Sequence, residues 1–313
     1  MTKIFFATDI HGSDICWNKF LNAGKFYEAD QLILGGDMTG KAIVPIIHQG
    51  GKNYRVTLLE QTFDITNEDE LTDIKKKIRS RGYYPYMTNP DEIAELDKDP
   101  SKVDKIFLQE VLKVVQQWME IADKKLAGTG MKVYCCPGND DMDEVDEILM
   151  ESRTVVHAEG KVTDLPSGHE MIASGWSNIT PWHTHREEDE DQLAVRYEAM
   201  ISQLKKPASS IFNIHVPPYK SGLDDAAELD KDLRPVLAGN SMIPVGSKAL
   251  RAAIEKTQPL LTLHGHIHEG RATTRIGKTL CINPGSMYEQ GTLLGALIVL
   301  SKDKVENFVL TSG

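Results

Sequence analysis

The stretch that decides the fold is Lys3-Ile4-Phe5-Phe6-Ala7-Thr8, which runs directly into Asp9-Ile10-His11. A short apolar, aromatic-rich run that ends in polar residues is typical of a buried first strand. The pattern that follows predicts a helix over residues 14–23 and a second buried strand over residues 31–34, stopped by Gly35-Gly36. Strand, helix and strand at this spacing indicate a βαβ unit.

The rest of the chain supplies further strands and an insert. Six more apolar runs predict strands, at residues 131–136, 170–176, 210–214, 260–263, 279–282 and 294–300. Apolar spacing predicts a long helix over residues 103–126. Residues 41–101 contain a charged helical pattern and a segment rich in Tyr, Pro, Asn and Asp, and we expect them to form an inserted cap subdomain. The expected fold is α/β, a single domain over residues 1–313 with two packed sheets and outer helices.

Five short segments share one arrangement, in which a predicted strand ends and a metal-binding residue type follows. They are Asp9-Ile10-His11, Gly36-Asp37, Gly138-Asn139, His215 and His266-Ile267-His268. Residues two apart on an extended chain face the same side, so each Asp-x-His or His-x-His pair can present two ligands together. Adjacent glycines let the backbone turn sharply and approach an ion. Carboxylates, imidazoles and one amide suit Mn, Fe, Zn, Co or Ni better than Ca or Mg.

This ordered set resembles the calcineurin-like metallophosphoesterase superfamily, whose pattern is D-x-H, G-D, G-N-H-[DE], a His and G-H-x-H. The resemblance implies two adjoining metal sites, the first with Asp9, His11 and His268 and the second with Asn139, His215 and His266, bridged by Asp37. It also implies a four-layer sandwich, in which two mixed β-sheets pack face to face with flanking helices. The implied activity is hydrolysis of a small phosphodiester or phosphomonoester by a metal-bridging hydroxide.

At position 140 the chain departs from the family pattern, because Asp140 stands where most members have His. That His usually contacts the phosphate and helps protonate the leaving group. A carboxylate would repel the substrate if ionised, and would donate a proton only if burial or nearby charge raised its pKa. Alternatively, Asp140 ligates a metal or points away. We expect Asp37, Asn139 and Asp140 to take part in catalysis, with leaving-group protonation weak or supplied elsewhere.

Three other signals are weaker. His183 and His185 are candidates for the missing proton donor, but a solvated loop before an acidic segment is the favoured interpretation. Residues 35–42 nearly match the phosphate-binding pattern G-x-x-x-x-G-K-[ST], but the last residue lacks the hydroxyl that Mg²⁺ needs and a proline interrupts the following helix. The basic run over residues 75–81 is interpreted as the solvated face of a charged helix.

The composition indicates an ordinary globular protein. The chain has 313 residues, 41% hydrophobic and 26% charged, which is enough apolar material for a core. Its net charge of −11 argues against general nucleic-acid binding, which needs a basic surface. Four cysteines without CxxC spacing predict reduced thiols and a cytoplasmic location. Since no apolar run reaches the length of a membrane helix, we expect no contact with a membrane.

Three functions fit these patterns. The first is a hydrolase that uses two divalent transition metal ions on a small phosphorylated substrate, with the insert covering the site and selecting the substrate. The second is a nuclease of the same superfamily, which the acidic charge disfavours. The third is a metal-binding scaffold for protein interaction that has lost catalysis, which the presence of every predicted ligand disfavours.

Overall fold

The computed structural model describes residues 1–234, 236 and 242–313. The strands in this part of the chain are β1 (Thr2–Ala7), β2 (Gln31–Leu34), β3 (Ile43–Gly50), β4 (Asn53–Leu58), β5 (Gln61–Ile65), β6 (Tyr84–Thr88), β7 (Val133–Cys135), β8 (Val155–His157), β9 (Val162–Asp164), β10 (Glu170–Ser174), β11 (Ser177–Asn178), β12 (Glu187–Glu188), β13 (Ile211–Ile214), β14 (Asp225–Ala227), β15 (Met242–Pro244), β16 (Leu261–Leu263), β17 (Ala272–Ile276), β18 (Thr279–Asn283), β19 (Leu294–Ser301) and β20 (Lys304–Ser312). The α-helices are α1 (Asp14–Phe26), α2 (Glu68–Ser80), α3 (Pro90–Leu96), α4 (Pro100–Leu126), α5 (Val145–Glu151), α6 (Glu190–Ile201) and α7 (Lys248–Thr257). Short 3₁₀ turns lie at Pro207–Ser209 and Tyr288–Gln290.

Two six-stranded sheets form the centre of the molecule. The first has the order β20-β19-β1-β2-β7-β8 and the second the order β17-β18-β16-β13-β10-β9. Each sheet contains four neighbouring parallel strands, extended by two antiparallel strands. Strands β1 and β2 are parallel and joined by α1, so the predicted βαβ unit is confirmed. The predicted α/β class with two mixed sheets is also confirmed.

The side chains of β1 show why the sheets and helices stack in layers. Phe5 faces a core that includes residues of α1, α4 and α5, whereas Phe6 faces the apolar space between the two sheets. On the far side of the second sheet, Phe212 packs with residues of α6 and α7. Each buried aromatic side chain stabilises the fold by about 1.5–3 kcal/mol through removal of apolar surface from water. The order helix, sheet, sheet, helix is the four-layer sandwich that the resemblance implies.

A third sheet lies within residues 41–101, with the order β5-β4-β3-β6. Helix α2 packs on it around a small core of its own, which includes Ile46 and Ile74. Asp14 of α1 connects this unit to the main body, because its carboxylate accepts hydrogen bonds from Arg79 Nε at 2.9 Å and Trp118 Nε1 at 2.7 Å. Arg79 belongs to the basic run over residues 75–81. The interpretation of that run as a wholly solvated face is therefore wrong at Arg79.

One helix start and one strand differ from the sequence predictions for identifiable reasons. Helix α4 begins at Pro100, three residues before the predicted start, because the Asp99 side chain caps it by accepting from Ser101 N at 3.2 Å. Strand β20 is absent from the sequence predictions. None of its side chains is fully buried and polar residues interrupt it, so the segment contains no continuous apolar run to mark it as a strand.

The four cysteines are buried free thiols. Burial is the main reason why the pKa values of Cys135 and Cys136 are raised well above the usual range, and both thiols therefore stay protonated. Among the helices that the structure describes, none is long and apolar enough to cross a membrane.

Candidate metal centre

The predicted metal ligands lie together at one end of the two sheets, just beyond the carboxyl ends of parallel strands. Asp9 and His11 follow β1, Asp37 follows β2, Asn139 follows β7, His215 follows β13, and His266 and His268 follow β16. In α/β proteins, bound substrates and cofactors commonly lie at this end of the strands. Of the seven side chains, only His266 and His268 are half-buried, and the other five are buried. The structure therefore brings all seven predicted residues to one place.

Six of the seven side chains form two neighbouring groups with ligand atoms within 4.8 Å of one another: Asp9, His11 and His268 in the first, and Asp37, His215 and His266 in the second. Asn139 joins the second group, since its Oδ1 lies 2.7 Å from His266 Nδ1. In the first group, His268 Nε2 lies 3.4 Å from Asp9 Oδ1 and 3.0 Å from His11 Nε2. Ligands held about 2.0–2.2 Å from a cation lie about 2.8–3.6 Å apart in tetrahedral or octahedral geometry. The observed separations fit that geometry.

His215 provides an independent sign that the second group is built for a cation. Its Nδ1 lies 2.8 Å from the carbonyl oxygen of Gly35, which only accepts, so Nδ1 carries the proton. The buried Nε2 has no hydrogen-bond partner among the described residues and lies 3.3 Å from Asp37 Oδ2. Burial alone would lower the pKa of His215, but the nearby carboxylates of Asp37 and Asp9 outweigh it and raise the pKa to about 10. The two carboxylates thus leave uncompensated negative charge beside His215, which a metal ion would balance.

Four of the seven residues have left-handed backbone conformations that non-glycine residues rarely adopt. The φ angles are 51° at Asp9, 36° at His11, 47° at Asp37 and 67° at His266. Such conformations cost about 1–3 kcal/mol each and concentrate at functional sites. The extended-chain argument for the D-x-H and H-x-H pairs is therefore wrong in its mechanism. Tight turns aim these ligands, and His266 and His268 belong to different groups rather than to one.

Glycine beside two of the ligands is required by close packing. A Cβ atom on Gly36 would collide with the His215 ring, and Gly36 also has a φ of 116°. A Cβ on Gly265 would collide with the side chains of Thr8 and Asp9. These glycines allow the ligand residues to approach one another, which is a more specific role than the sharp turn predicted from the sequence.

Asp140 forms an ion pair with a residue that the sequence analysis does not select. Its Oδ2 lies 3.0 Å from Nζ of Lys41, and its backbone N–H donates to Asp37 Oδ1 at 3.0 Å. Burial and the charge of Asp37 raise the pKa of Asp140 to about 6, against the opposing effect of Lys41. Asp140 also falls in a possible ligand group with His11 and Asp37. Lys41 is the lysine of the incomplete phosphate-binding pattern over residues 35–42. That pattern could have marked Lys41 as a candidate phosphate contact.

Asp141 is a second residue that sequence reasoning misses. Its buried carboxylate accepts from the backbone N–H groups of Met38, Thr39 and Gly138 at 3.0, 2.8 and 2.7 Å. It also accepts from Thr39 Oγ1 at 2.6 Å. The loops that carry Asp37 and Asn139 are therefore held together by one carboxylate, which shapes the site without facing it.

The cluster opens into a cavity of about 1120 Å³. The loop over residues 178–185 lines it, and Thr184 Oγ1 accepts a hydrogen bond from Asn139 Nδ2 at 2.8 Å. His183 and His185 are exposed residues of this loop, as the favoured interpretation expects, but both also line the cavity. From the segment 41–101, Lys41 lines the cavity, together with Phe107 of α4. The cavity wall among the described residues thus comes mainly from the second half of the chain, not from the third sheet.

Comparison with known proteins gives one clear sequence relative and several fold relatives. No protein-family model matches the chain. Uncharacterized protein MJ1162 of Methanocaldococcus jannaschii is 30% identical over 176 residues, which cover 55% of this chain and 70% of that protein. The crystal structure of TT1561 of Thermus thermophilus matches with a TM-score of 0.53 and 14% identity, over 100% of this chain and 98% of that one. An archaeal phosphodiesterase matches at a TM-score of 0.37 and 9% identity, over 99% of this chain and 100% of its own.

The chain thus shares the fold of TT1561, and the Asp, Asn and His residues of the resemblance lie together at the strand ends of that fold. By sequence, the chain belongs to the same family as MJ1162.

Proposed function

We propose that this protein is a dinuclear, metal-dependent phosphoesterase that hydrolyses a small phosphodiester or phosphomonoester. The proposal depends above all on one observation, the convergence of seven metal-ligand side chains in one place. Among the described residues, the Nε2 of His215 in this cluster has no hydrogen-bond partner. The first ion would be held by Asp9, His11 and His268, the second by Asn139, His215 and His266, with Asp37 between them. This donor set is rich in imidazole, so it suits Mn, Fe, Zn, Co or Ni.

Two bound divalent cations would supply positive charge for the phosphoryl oxygens and would acidify a water molecule for attack. The chain itself contributes Lys41, whose ammonium group lies at the cluster beside Asp140 and faces the cavity. We assign to Lys41 the phosphate contact that the family pattern gives to His at position 140. Asp140 would hold the ammonium group in place, and Asn139 would be fixed by its hydrogen bond to Thr184.

We further propose that residues 41–101 form an inserted subdomain that positions Lys41 from one side. Gly40 N donates to the hydroxyl of Tyr84, at the start of β6, at 2.6 Å. This bond ties the chain just before Lys41 to the third sheet. A role in nucleic-acid binding has less support, because Arg79 of the basic run is engaged by Asp14, and Lys77 lies 5.7 Å from the ring centroid of Phe63.

The proposal is tested by metal analysis and an aryl phosphodiester assay on the wild type and Asp37→Ala. The wild type should contain close to two transition ions per chain and turn over the ester, and Asp37→Ala should lose both properties. Asp164→Ala, an exposed carboxylate on β9, is the matched control and should behave as the wild type. Stoichiometric metal with no turnover that depends on Asp37, across monoesters, cyclic nucleotides and dinucleotides, would instead favour a binding scaffold.

A further inference from the structure

The cavity is larger than the metal cluster requires. Pockets for drug-sized ligands typically measure about 300–1000 Å³, and this one measures about 1120 Å³. Besides residues of the cluster, the cavity is lined by the loop over residues 178–185, by Tyr219 and Lys248, and by residues of β14 and β15. A phosphate group alone would leave most of this space to the rest of the substrate.

The loop presents two large apolar side chains to solvent inside the cavity. Ile179 is 56% exposed and Trp182 is 62% exposed. Adjoining exposed apolar side chains in a cavity are typical of a ligand-binding surface, because their solvation is unfavourable until a ligand covers them. Since both line the same cavity as the metal cluster, the group that covers them would belong to the same ligand.

Glu187 fixes the loop in this conformation. Its carboxylate accepts from the backbone N–H of Thr180 and of Thr184, at 2.9 Å each, and from both threonine hydroxyls at 2.6 Å. Trp182 lies between the two threonines in the sequence, and its backbone N–H donates to Thr180 Oγ1 at 3.2 Å. The wall is therefore held in place before a ligand arrives, which lowers the conformational cost of binding.

Thr184 connects the loop to the metal cluster. Its Oγ1 donates to Glu187 and accepts from Nδ2 of Asn139. One hydrogen bond thus joins the loop to a proposed metal ligand.

The other wall combines an aromatic ring with positive charge. Tyr219 has the ammonium groups of Lys220 and Lys248 each 5.3 Å from its ring centroid. Lys248 also lines the cavity. An aromatic ring and a cation in the same cavity as an exposed tryptophan favour a planar ligand that carries negative charge.

We propose that the surface formed by Ile179, Trp182, Tyr219 and Lys248 is a subsite for a planar ring of the substrate, the size of a nucleobase. This inference rests on the proposed function, because it specifies the substrate as a nucleoside phosphate. The ring would pack on Trp182 while the phosphate lies at the cluster. Base stacking on an aromatic side chain is typically lost when that side chain is replaced by alanine.

The test uses a matched pair of substrates that share a reporter: thymidine 5′-(p-nitrophenyl phosphate) and methyl p-nitrophenyl phosphate. Trp182→Ala should raise KM for the thymidine ester roughly tenfold and leave the methyl ester within about twofold. Phe26→Ala removes an aromatic side chain that is 78% exposed but lies outside the cavity, and should change neither. Calorimetric titration of the metal-free protein with thymidine 5′-monophosphate and methyl phosphate gives a readout that needs no turnover.

In that titration, the wild type should bind the nucleotide more tightly than methyl phosphate, and Trp182→Ala should remove the difference. Equal losses on both esters, or equal affinity of the wild type for both phosphates, would overturn the subsite while leaving the proposed hydrolysis intact. Nucleotide binding that depends on Trp182, without hydrolysis of either ester, would support the subsite and refute the phosphoesterase.

Discussion

Lys41 Nζ lies 3.0 Å from Asp140 Oδ2 at the rim of the metal cluster. The metallophosphoesterase pattern that the sequence resembles has a histidine at position 140, which would contact the substrate phosphate as a cation or as a hydrogen-bond donor. In this chain an acid occupies that position and a lysine from another loop adjoins it. Burial would lower the pKa of Lys41, but the carboxylates of Asp140 and Asp37 raise it above its usual value, so the ammonium group stays charged. In the proposed mechanism, Lys41 and Asp140 together take the place of that single histidine.

Replacing Lys41 by Met is expected to lower kcat/KM for an aryl phosphodiester roughly 10- to 100-fold, because a charge-assisted hydrogen bond to phosphate contributes about 1.5–3 kcal/mol. Metal content should not change, since Lys41 is not a ligand. Asp140→Asn should cost less, because the ammonium charge remains. Lys52→Met, on an exposed hairpin turn, is the control. A larger loss in Asp140→Asn that grows with the pKa of the leaving group would identify Asp140 as a proton donor instead.

The buried carboxylate of Asp141 should contribute strongly to the stability of the fold. Asp141→Ala leaves the N–H groups of Met38, Thr39 and Gly138 buried without their acceptor. We expect a loss of about 3 kcal/mol in the free energy of unfolding, as when one partner of a buried charged network is removed. Urea denaturation measures it. Asp143→Ala, an exposed acid nearby, should stay within about 0.5 kcal/mol. A similar small change in Asp141→Ala would contradict the bracing role.

The strands and the ligand residues are predictable from the sequence for a simple physical reason. A buried strand such as β1 or β13 is a continuous apolar run, and a polar residue directly after it must lie at the end of a sheet. Residue type then suggests metal binding at Asp9 and His215. Neither step requires knowledge of distant parts of the chain.

Other features depend on contacts that residue order does not encode. The left-handed turns at Asp9 and Asp37 are not predictable from the sequence, because Asp adopts such φ angles more often than most residues but still in a minority of cases. Lys41 meets Asp140 from a loop that lies far away along the sequence. Likewise, the bond from Asn139 to Thr184 joins segments 45 positions apart, so the sequence alone indicates only a solvent-facing loop at residues 178–185.

Asp123 gives a prediction for the effect of pH on stability. Burial would raise the pKa of this carboxyl, but hydrogen bonds from the hydroxyls of Thr154 and Ser152 and from backbone N–H groups outweigh it and lower the pKa below 3.8. A depressed carboxyl pKa stabilises the fold above the unfolded value and loses that contribution as pH falls through the folded value. Asp123→Asn should therefore lower the free energy of unfolding in urea at pH 7, by no more than about 1 kcal/mol because the carboxyl is partly solvated. The difference from wild type should shrink as the pH falls below about 4, and a constant difference would contradict the assignment.

Metal binding should stabilise the protein in proportion to the ligands that remain. Because ions bind the folded cluster and not the unfolded chain, Mn²⁺ at about 100 times its Kd should add about 2.7 kcal/mol for each of the two proposed sites. After chelation and dialysis, Mn²⁺ is expected to raise the wild-type Tm by roughly 8 °C. His215→Ala keeps Asp9, His11 and His268, so it should retain about one ion and part of the increase. Asp37→Ala removes the shared carboxylate and should lose most of it. An equal rise in all three proteins would place the bound manganese elsewhere on the surface.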